Sequence, residues 1–232
     1  MIGVINIGNT NNQCAIFDKL TLKKEEKIDN PFRIKDFFKE VNEIMMISVV
    51  PNREELIRGI IEIPIIDFPN YLFEMDYESH AGCDRLSNGL AAKELTGLPA
   101  IVVDCGSAIT VDLFTEPKKS KAELIIRFDG GAILPGLFWY FSTLDKGEAL
   151  PEITPELQNT IGKSTSECIK FGAYGALVGG IKEVLNKLDY KNKNLIFTGG
   201  DGEIFRQFFK DEHYEPFLTI KGGVIAYHKK HF

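Results

Sequence analysis

Short apolar runs alternate with helical patterns along the chain. The apolar runs cover residues 2–7, 44–50, 100–103, 111–114 and 195–197, and they predict β-strands, several of them buried on both faces. Residues 84–95, 166–188 and 203–209 have helical patterns. Strands mixed with helices are typical of the α/β class. We therefore expect an α/β protein.

A segment near the N-terminus is repeated in outline 98 residues later. Residues 5–12, Ile-Asn-Ile-Gly-Asn-Thr-Asn-Asn, align with residues 103–110, Val-Asp-Cys-Gly-Ser-Ala-Ile-Thr. Each copy has an apolar strand, a polar residue, a glycine two positions later, and small polar residues leading into a second apolar strand. One such turn is common, but two copies predict duplicated domains that face each other across a cleft. We call residues 6–13 the first tip and residues 104–110 the second tip.

The domain boundary is expected within compact structure. No low-complexity linker interrupts the chain, and the change from the first copy to the second falls near Pro99. This predicts an N-terminal domain over residues 1–99 with the first tip, and a C-terminal domain over residues 100–232 with the second.

Both tips carry groups that bind phosphate. Backbone N–H groups and hydroxyls of a glycine-containing turn can surround phosphate oxygens. A carboxylate at the end of the preceding strand, Asp104, could hold a hydrated cation against those oxygens, because Mg²⁺ prefers one or two carboxylates plus water and phosphate. The two tips therefore predict a nucleotide held through its phosphates.

Composition narrows the classes of function. The chain has 27 Lys and Arg against 33 Asp and Glu, a formal net charge of -6, so we expect no nucleic-acid partner. The four cysteines include no Cys-x-x-Cys pair, which argues against a zinc site or a disulfide framework. The absence of an 18-residue apolar run and of an export signal predicts a cytoplasmic protein that does not bind membranes.

Several motifs together resemble one family. They are Ile-Gly-Asn-Thr at 7–10, Ser-Val-Val-Pro at 48–51, Gly-Cys-Asp-Arg at 82–85, Asp-Cys-Gly-Ser-Ala at 104–108, Gly-Gly-Ala-Ile-Leu-Pro-Gly at 130–136, Ile-Gly-Lys-Ser-Thr at 161–165 and Thr-Gly-Gly-Asp at 198–201. In this order they resemble the type III pantothenate kinases, members of the actin-like kinase superfamily, over nearly the whole chain.

The resemblance implies a fold and a reaction. The fold would be two ribonuclease-H-like domains with mixed sheets flanked by helices, assembled as a homodimer. The reaction would transfer the γ-phosphate of ATP to pantothenate, the first step of coenzyme A synthesis. Mg²⁺ and a monovalent cation, K⁺ or NH₄⁺, would be needed.

The resemblance also implies roles for individual residues. Asp84 would be the catalytic base, and Asp104 would bind the monovalent cation. Pantothenate would contact Gly82, Cys83, Arg85, Thr165 and a tyrosine, for which Tyr77 is chosen here and Tyr71 is the other candidate. ATP would contact Asn6, Gly8, Asn9, Thr10, Asn11, Asn12, Gln13 and Ser107.

Position 6 departs from the family pattern, in which an aspartate orients the magnesium-bound phosphates. Asn6 keeps the size and one acceptor oxygen but removes a unit charge and adds two N–H donors. Three explanations stay open: the metal is held by phosphates, water and Asp104 with weakened activity; the substitution inactivates the enzyme but preserves nucleotide binding; or the chain is a relative that binds without phosphorylating.

Other interpretations stay open as well. Asp84 could serve as a helix cap without a catalytic role, and Arg85 could form an ordinary surface ion pair. The segment at 198–201 could close over an adenine, and residues 139–141 could lie in the core or at a dimer interface. The chain could also be a non-catalytic nucleotide-binding or regulatory protein, or a sugar or acetate kinase. Gly162-Lys163-Ser164-Thr165 imitates the end of a P-loop, but Leu157 stands where its first glycine is required.

Overall fold

The computed structural model describes residues 1–77, 81–119, 124–144, 151, 153–209 and 212–230. The chain divides into two compact units. Unit 1 comprises residues 1–98, 114–129 and 217–232, and unit 2 comprises residues 99–113 and 130–216. The chain first passes from unit 1 to unit 2 at Pro99, close to the predicted domain boundary. Two later segments return to unit 1, so neither unit is a continuous range such as the predicted 1–99 and 100–232.

Unit 1 is built on a five-stranded mixed sheet. Its strands are β1 (Ile2–Ile7), β2 (Asn12–Asp18), β3 (Thr21–Lys27), β4 (Glu43–Ser48) and β5 (Ile65–Asp67), in the order β3-β2-β1-β4-β5. β2 is antiparallel to both β1 and β3, whereas β1, β4 and β5 are parallel. Apolar residues of β1, β2 and β4 form a core with α1 (Pro31–Phe38) and α2 (Pro51–Ile60).

Three further elements between residues 70 and 98 belong to unit 1. They are a short 3₁₀ helix (Asn70–Leu72), the short strand β6 (Phe73–Met75) and helix α3 (Cys83–Thr96). The helix matches the predicted range 84–95 closely. Its residues 85–92 are all buried, so α3 is a central helix of this unit.

Unit 2 is built on a second mixed sheet. Its strands are β7 (Ala100–Cys105), β8 (Ala108–Thr115), β9 (Ile126–Pro135), β10 (Asn194–Thr198) and β11 (His213–Tyr214), in the order β11-β10-β7-β8-β9. The first three strands of that order are mutually parallel. The helices are α4 (Leu137–Leu144), α5 (Thr165–Ala173), α6 (Gly179–Lys187) and α7 (Gly202–Arg206). The first residues of β9, which belong to unit 1, pair in parallel with β6.

The last helix, α8 (Leu218–Lys230), explains why the end of the chain belongs to unit 1. It packs along α3 and also contacts β1 and β4. Ser87 Oγ donates a hydrogen bond to the Thr219 carbonyl oxygen at 2.7 Å, and Thr219 Oγ1 donates to Asn88 Oδ1 at 2.8 Å. These buried bonds join α8 to α3.

The long helical pattern at residues 166–188 is confirmed with one change. A π-helical stretch, Tyr174–Val178, separates α5 from α6. The α/β prediction is also confirmed, because the chain forms two mixed sheets and helices alternate with the strands along its length. Among the described residues, no helix is both long and apolar enough to span a bilayer.

Candidate active site

The first tip is the hairpin between β1 and β2. Gly8 N donates to the Asn11 carbonyl oxygen at 3.1 Å and closes the turn. Asn9 and Thr10 are exposed at its apex. The turn therefore presents backbone and polar side chains to solvent, as a phosphate-binding loop requires.

Asn6 lies one residue before the end of β1, opposite Gln13 of β2. Its Oδ1 is buried and, among the described residues, makes no hydrogen bond. A buried acceptor without a partner is costly. This oxygen therefore suits a cation or a water molecule as its missing partner.

The side chains of Asn12 and Gln13 are used within the sheet. Asn12 is buried, and its Nδ2 donates to the Ile28 carbonyl oxygen at 3.1 Å while Ile28 N donates to the Asn12 carbonyl oxygen at 2.9 Å. Gln13 Nε2 donates to Glu25 Oε1 at 3.0 Å. The two amides thus fasten the first tip to β3 and the segment after it.

Arg53, on the first turn of α2, touches the first tip and was not singled out from the sequence. Its Nη1 donates to the Gly8 carbonyl oxygen at 2.8 Å, and its Nη2 donates to the Asn9 carbonyl oxygen at 3.4 Å. The only local signal is that Arg53 follows the motif at 48–51. The contact itself depends on folding across more than 40 residues.

Asp84 occupies the first turn of α3, whose N-cap is Gly82. The Asp84 Oδ1 accepts a hydrogen bond from Arg85 N at 2.7 Å, so the carboxylate satisfies one of the first-turn N–H groups that have no partner within the helix. A Cβ on Gly82 would lie 2.6 Å from that oxygen, so a side chain at position 82 would displace the carboxylate. A negative charge at this position also interacts favourably with the positive end of the helix dipole.

Arg85 is buried, with 8% of its surface exposed. Its guanidinium carbon lies 5.1 Å from the centre of the Phe128 ring. The Tyr77 ring packs on the same phenylalanine, with 5.7 Å between centroids. Phe128, which the sequence did not indicate, thus brings together two residues expected to contact pantothenate.

Cys83 connects the start of α3 to the end of β4. Its Sγ accepts from Ser48 N at 3.1 Å and donates to the Ser48 carbonyl oxygen at 3.0 Å. Burial, with a smaller contribution from the charge of Asp84, raises the pKa of the thiol to about 12. The thiol is therefore neutral at physiological pH and serves as a hydrogen-bonding link.

The second tip is surrounded by two glycine-containing segments of unit 2. Gly136 N donates to the Ser107 carbonyl oxygen at 3.1 Å, and Asp201 N donates to the Cys105 carbonyl oxygen at 2.9 Å. Gly199 has a φ of +86° and lies beside Asp104. The motifs at 130–136 and 198–201 therefore converge on residues 104–107.

Electrostatics at the second tip suit a cation. Burial raises the pKa of the Cys105 thiol well above its ordinary value, and the nearby charges of Asp104 and Asp201 raise it further. Among the residues that the structure describes, no group of three His, Cys, Asp or Glu side chains forms a ready metal site. A cation here would need phosphate or water ligands beside the Asp104 carboxylate.

Ser164 caps the start of α5, and the Glu167 side chain binds the backbone of the residue before the cap. Glu167 N donates to Ser164 Oγ at 3.2 Å, and Glu167 Oε2 accepts from Lys163 N at 2.7 Å. The Ser164 hydroxyl thus satisfies an N–H group at the start of α5 that a P-loop would leave for phosphate. This agrees with rejecting the P-loop. Thr165 is exposed on the first helical turn.

Comparison with known proteins shows the family of the chain. The family model for type III pantothenate kinase matches residues 4–187. The type III pantothenate kinase of Thermosipho melanesiensis is 30% identical over 250 aligned positions, covering 97% of each chain.

Two solved structures share the fold. A Campylobacter jejuni protein described as a Baf family transcriptional activator has a TM-score of 0.67 and 23% identity, covering 99% of this chain and 100% of that one. The activator of 2-hydroxyisocaproyl-CoA dehydratase from Clostridium difficile, solved with bound ADPNP, has a TM-score of 0.58 and 8% identity, covering 99% and 96%. The architecture is the actin-like fold, and by its sequence the chain belongs to the type III pantothenate kinase family.

Proposed function

We propose that this protein transfers the γ-phosphate of ATP to pantothenate, giving 4′-phosphopantothenate in the first step of coenzyme A synthesis. Family membership supports the reaction. The observation that carries the assignment to this site is the first turn of α3, where Gly82 leaves room for the Asp84 carboxylate and Arg85 follows it.

Asp84 acts as the base in this proposal. Phosphoryl transfer needs an alcohol held in line, a group to accept its proton, and positive charge over the phosphates. Asp84 takes the proton of the pantothenate hydroxyl, and the Arg85 N–H bond fixes the carboxylate for that step. A positioned base contributes about 10²- to 10⁴-fold to such a rate.

Arg85 and its surroundings bind pantothenate. The guanidinium can pair with the pantothenate carboxylate through two parallel hydrogen bonds, and the Phe128 ring holds it in place. The remaining substrate residues are Tyr77, Gly82, Cys83 and Thr165. Of these, Cys83 contacts pantothenate through its backbone.

The two tips bind ATP. The backbone of residues 8–11 contacts phosphate oxygens, Ser107 adds a hydroxyl, and Asn6, Asn12 and Gln13 shape the first tip. ATP use itself follows from membership in a kinase family.

The residues fit a divalent metal and a monovalent cation. Asn6 Oδ1, which has no hydrogen-bond partner among the described residues, and the Asp104 carboxylate are oxygen ligands of the kind that Mg²⁺ and K⁺ accept. When bound, these ions would neutralise charge on the phosphates. Asn6 would bind Mg²⁺ or its water shell less strongly than an aspartate, so we expect reduced rather than absent turnover.

The oligomeric state is proposed to be a homodimer. Ile133, Phe138 and Trp139 of unit 2 are 62%, 65% and 56% exposed. Large apolar side chains at such exposure are typical of a surface that a second copy covers. Sedimentation velocity tests this: a monomer at micromolar concentration contradicts it.

An ADP-release assay with and without pantothenate tests the function. We expect release that depends on pantothenate and on K⁺ or NH₄⁺, a rise in turnover for Asn6→Asp, and a fall of at least about 100-fold for Asp84→Asn. Glu94→Gln, at the other end of α3, is the matched control and should keep full turnover.

A non-catalytic nucleotide-binding role is the alternative that Asn6 favours, although the names of the relatives do not. Calorimetry separates the two proposals. Tight ATP binding with no pantothenate-dependent heat, and no turnover even in Asn6→Asp, would establish the alternative and reject the kinase.

A further inference from the structure

Arg53 lies on helix α2 but binds backbone carbonyl groups of another segment of the chain. The side chain crosses from α2 to the first tip and donates to two consecutive carbonyl groups, those of Gly8 and Asn9. The same helix carries Arg58, whose Nε donates to Glu54 Oε1 at 2.9 Å and whose Nη2 pairs with Asp67. Of these two arginines, Arg58 therefore makes ordinary ion pairs, whereas Arg53 binds backbone.

The contact fixes the direction of two peptide groups. In a trans peptide the C=O and the following N–H point in opposite directions. Because the guanidinium binds the Gly8 and Asn9 carbonyl oxygens, the N–H groups of Asn9 and Thr10 are turned away from Arg53. A charged donor also polarises the peptide and makes its N–H a stronger donor.

We propose that Arg53 is a positioning residue of the first tip, which holds the Gly8 and Asn9 carbonyl groups so that the Asn9 and Thr10 N–H groups face the ATP phosphates. This inference rests on the proposed function in one respect, the identity of the ligand as a nucleotide. It assigns part of the phosphate affinity to a residue outside the turn itself.

The amide at position 6 makes this role of Arg53 more important for phosphate binding. With an amide at position 6, the first tip lacks the negative charge of an aspartate, and Arg53 adds a positive charge at the same turn. The turn is therefore suited to bind phosphate oxygens directly through oriented N–H groups, with less dependence on a metal held at position 6.

Two substitutions distinguish the effect of the planar guanidinium group, which makes two hydrogen bonds, from the effect of its positive charge. In Arg53→Ala both carbonyl contacts are lost, and we expect the dissociation constant for ADP, measured by calorimetry, and the KM for ATP to rise about tenfold. In Arg53→Lys the charge stays but one compact ammonium replaces the planar fork, so we expect only partial recovery. The KM for pantothenate should stay unchanged in both.

Backbone amide resonances give a readout that does not need turnover. We expect the ¹H–¹⁵N signals of Asn9 and Thr10 to shift in ligand-free Arg53→Ala and to respond less to ADP than in the unaltered protein. Arg58→Ala is the matched control, and it should leave those signals and the ADP affinity unchanged.

The outcomes distinguish this inference from the proposed function. If Arg53→Ala folds, as judged by its melting temperature, yet keeps the amide signals and the ADP affinity, Arg53 does not position the turn, and the kinase assignment is untouched. Full recovery by Arg53→Lys would also overturn the inference, because charge alone would then suffice. If the unaltered protein binds ADP but never phosphorylates pantothenate, the kinase fails while the role of Arg53 stands.

Discussion

Gly199 lies against the carboxylate of Asp104, and a Cβ on the glycine would stand 2.5 Å from Asp104 Oδ1 and 2.4 Å from the Cys105 carbonyl oxygen. The glycine also has a φ of +86°, which other L-residues rarely adopt. We therefore expect Gly199→Ala to lower the free energy of unfolding by about 2 kcal/mol and to raise the KM for ATP. Chemical denaturation and the ADP-release assay measure the two effects.

The neighbouring glycine supplies the control. A Cβ on Gly200 meets no atom of the described residues within 4 Å. Gly200→Ala should therefore keep both stability and KM. Equal effects at positions 199 and 200 would show that the close approach to Asp104 is unimportant.

Arg127 is the centre of a charge cluster in unit 1, in which Arg127 and Glu74 are buried and the Asp76 side chain is 71% exposed. It donates to Glu74 at 2.9 Å and to Asp76 and Asp129 at 2.7 Å each. Removing one partner of a buried pair leaves the other charge uncompensated. Arg127→Met should therefore lower the melting temperature by roughly 5 to 10 °C. Arg33→Met, which removes an exposed pair with Glu26, should change it little.

The same cluster predicts a dependence on acid. Hydrogen bonds from the Lys119 and Lys118 N–H groups and from Arg127 lower the pKa of Glu74 below its ordinary 4.5, and Arg127 lowers the pKa of Asp76 below 3.8. A lowered pKa contributes stability above the ordinary value that is lost as pH falls through the folded-state value. Melting temperatures should therefore decline below about pH 4.5, and more steeply in the unaltered protein than in Arg127→Met.

Ser164 and Thr165 are adjacent but should behave differently. Ser164→Ala removes the hydroxyl that accepts from Glu167 N and should cost about 1 kcal/mol of stability with little change in catalysis. Thr165→Ala removes an exposed hydroxyl and should raise the KM for pantothenate at unchanged stability. A stability loss at Thr165 with no kinetic effect would exclude it as a substrate residue.

The strands that bury apolar residues could be predicted from the sequence. The run at residues 2–7 coincides with β1, and the runs at 44–50 and 100–103 overlap β4 and β7, because alternation and apolar content are local properties. β3 could not, since its sequence Thr-Leu-Lys-Lys-Glu-Glu-Lys has no buried position. It is a strand because β2 offers an edge to pair with.

The site was predictable where backbone conformation constrains the residue type. Glycines that need close approach, at positions 82 and 199, fell within motifs visible in the sequence. Arg53 and Phe128 escaped prediction because their contacts join segments distant in sequence. Residues 139–141 fit both earlier interpretations, since Phe141 is buried and Trp139 is 56% exposed.

The pairing of α8 with α3 bears on how the protein is made. Helix α3 is covered by α8, which is synthesised after all of unit 2. Unit 1 therefore cannot finish folding during synthesis of its own first 98 residues, although N-terminal domains commonly do so. A premature stop before residue 217 would uncover Ser87 and Asn88 of α3 and also Val4 and Ile47 of the sheet, so we expect the shortened protein to aggregate or to be degraded.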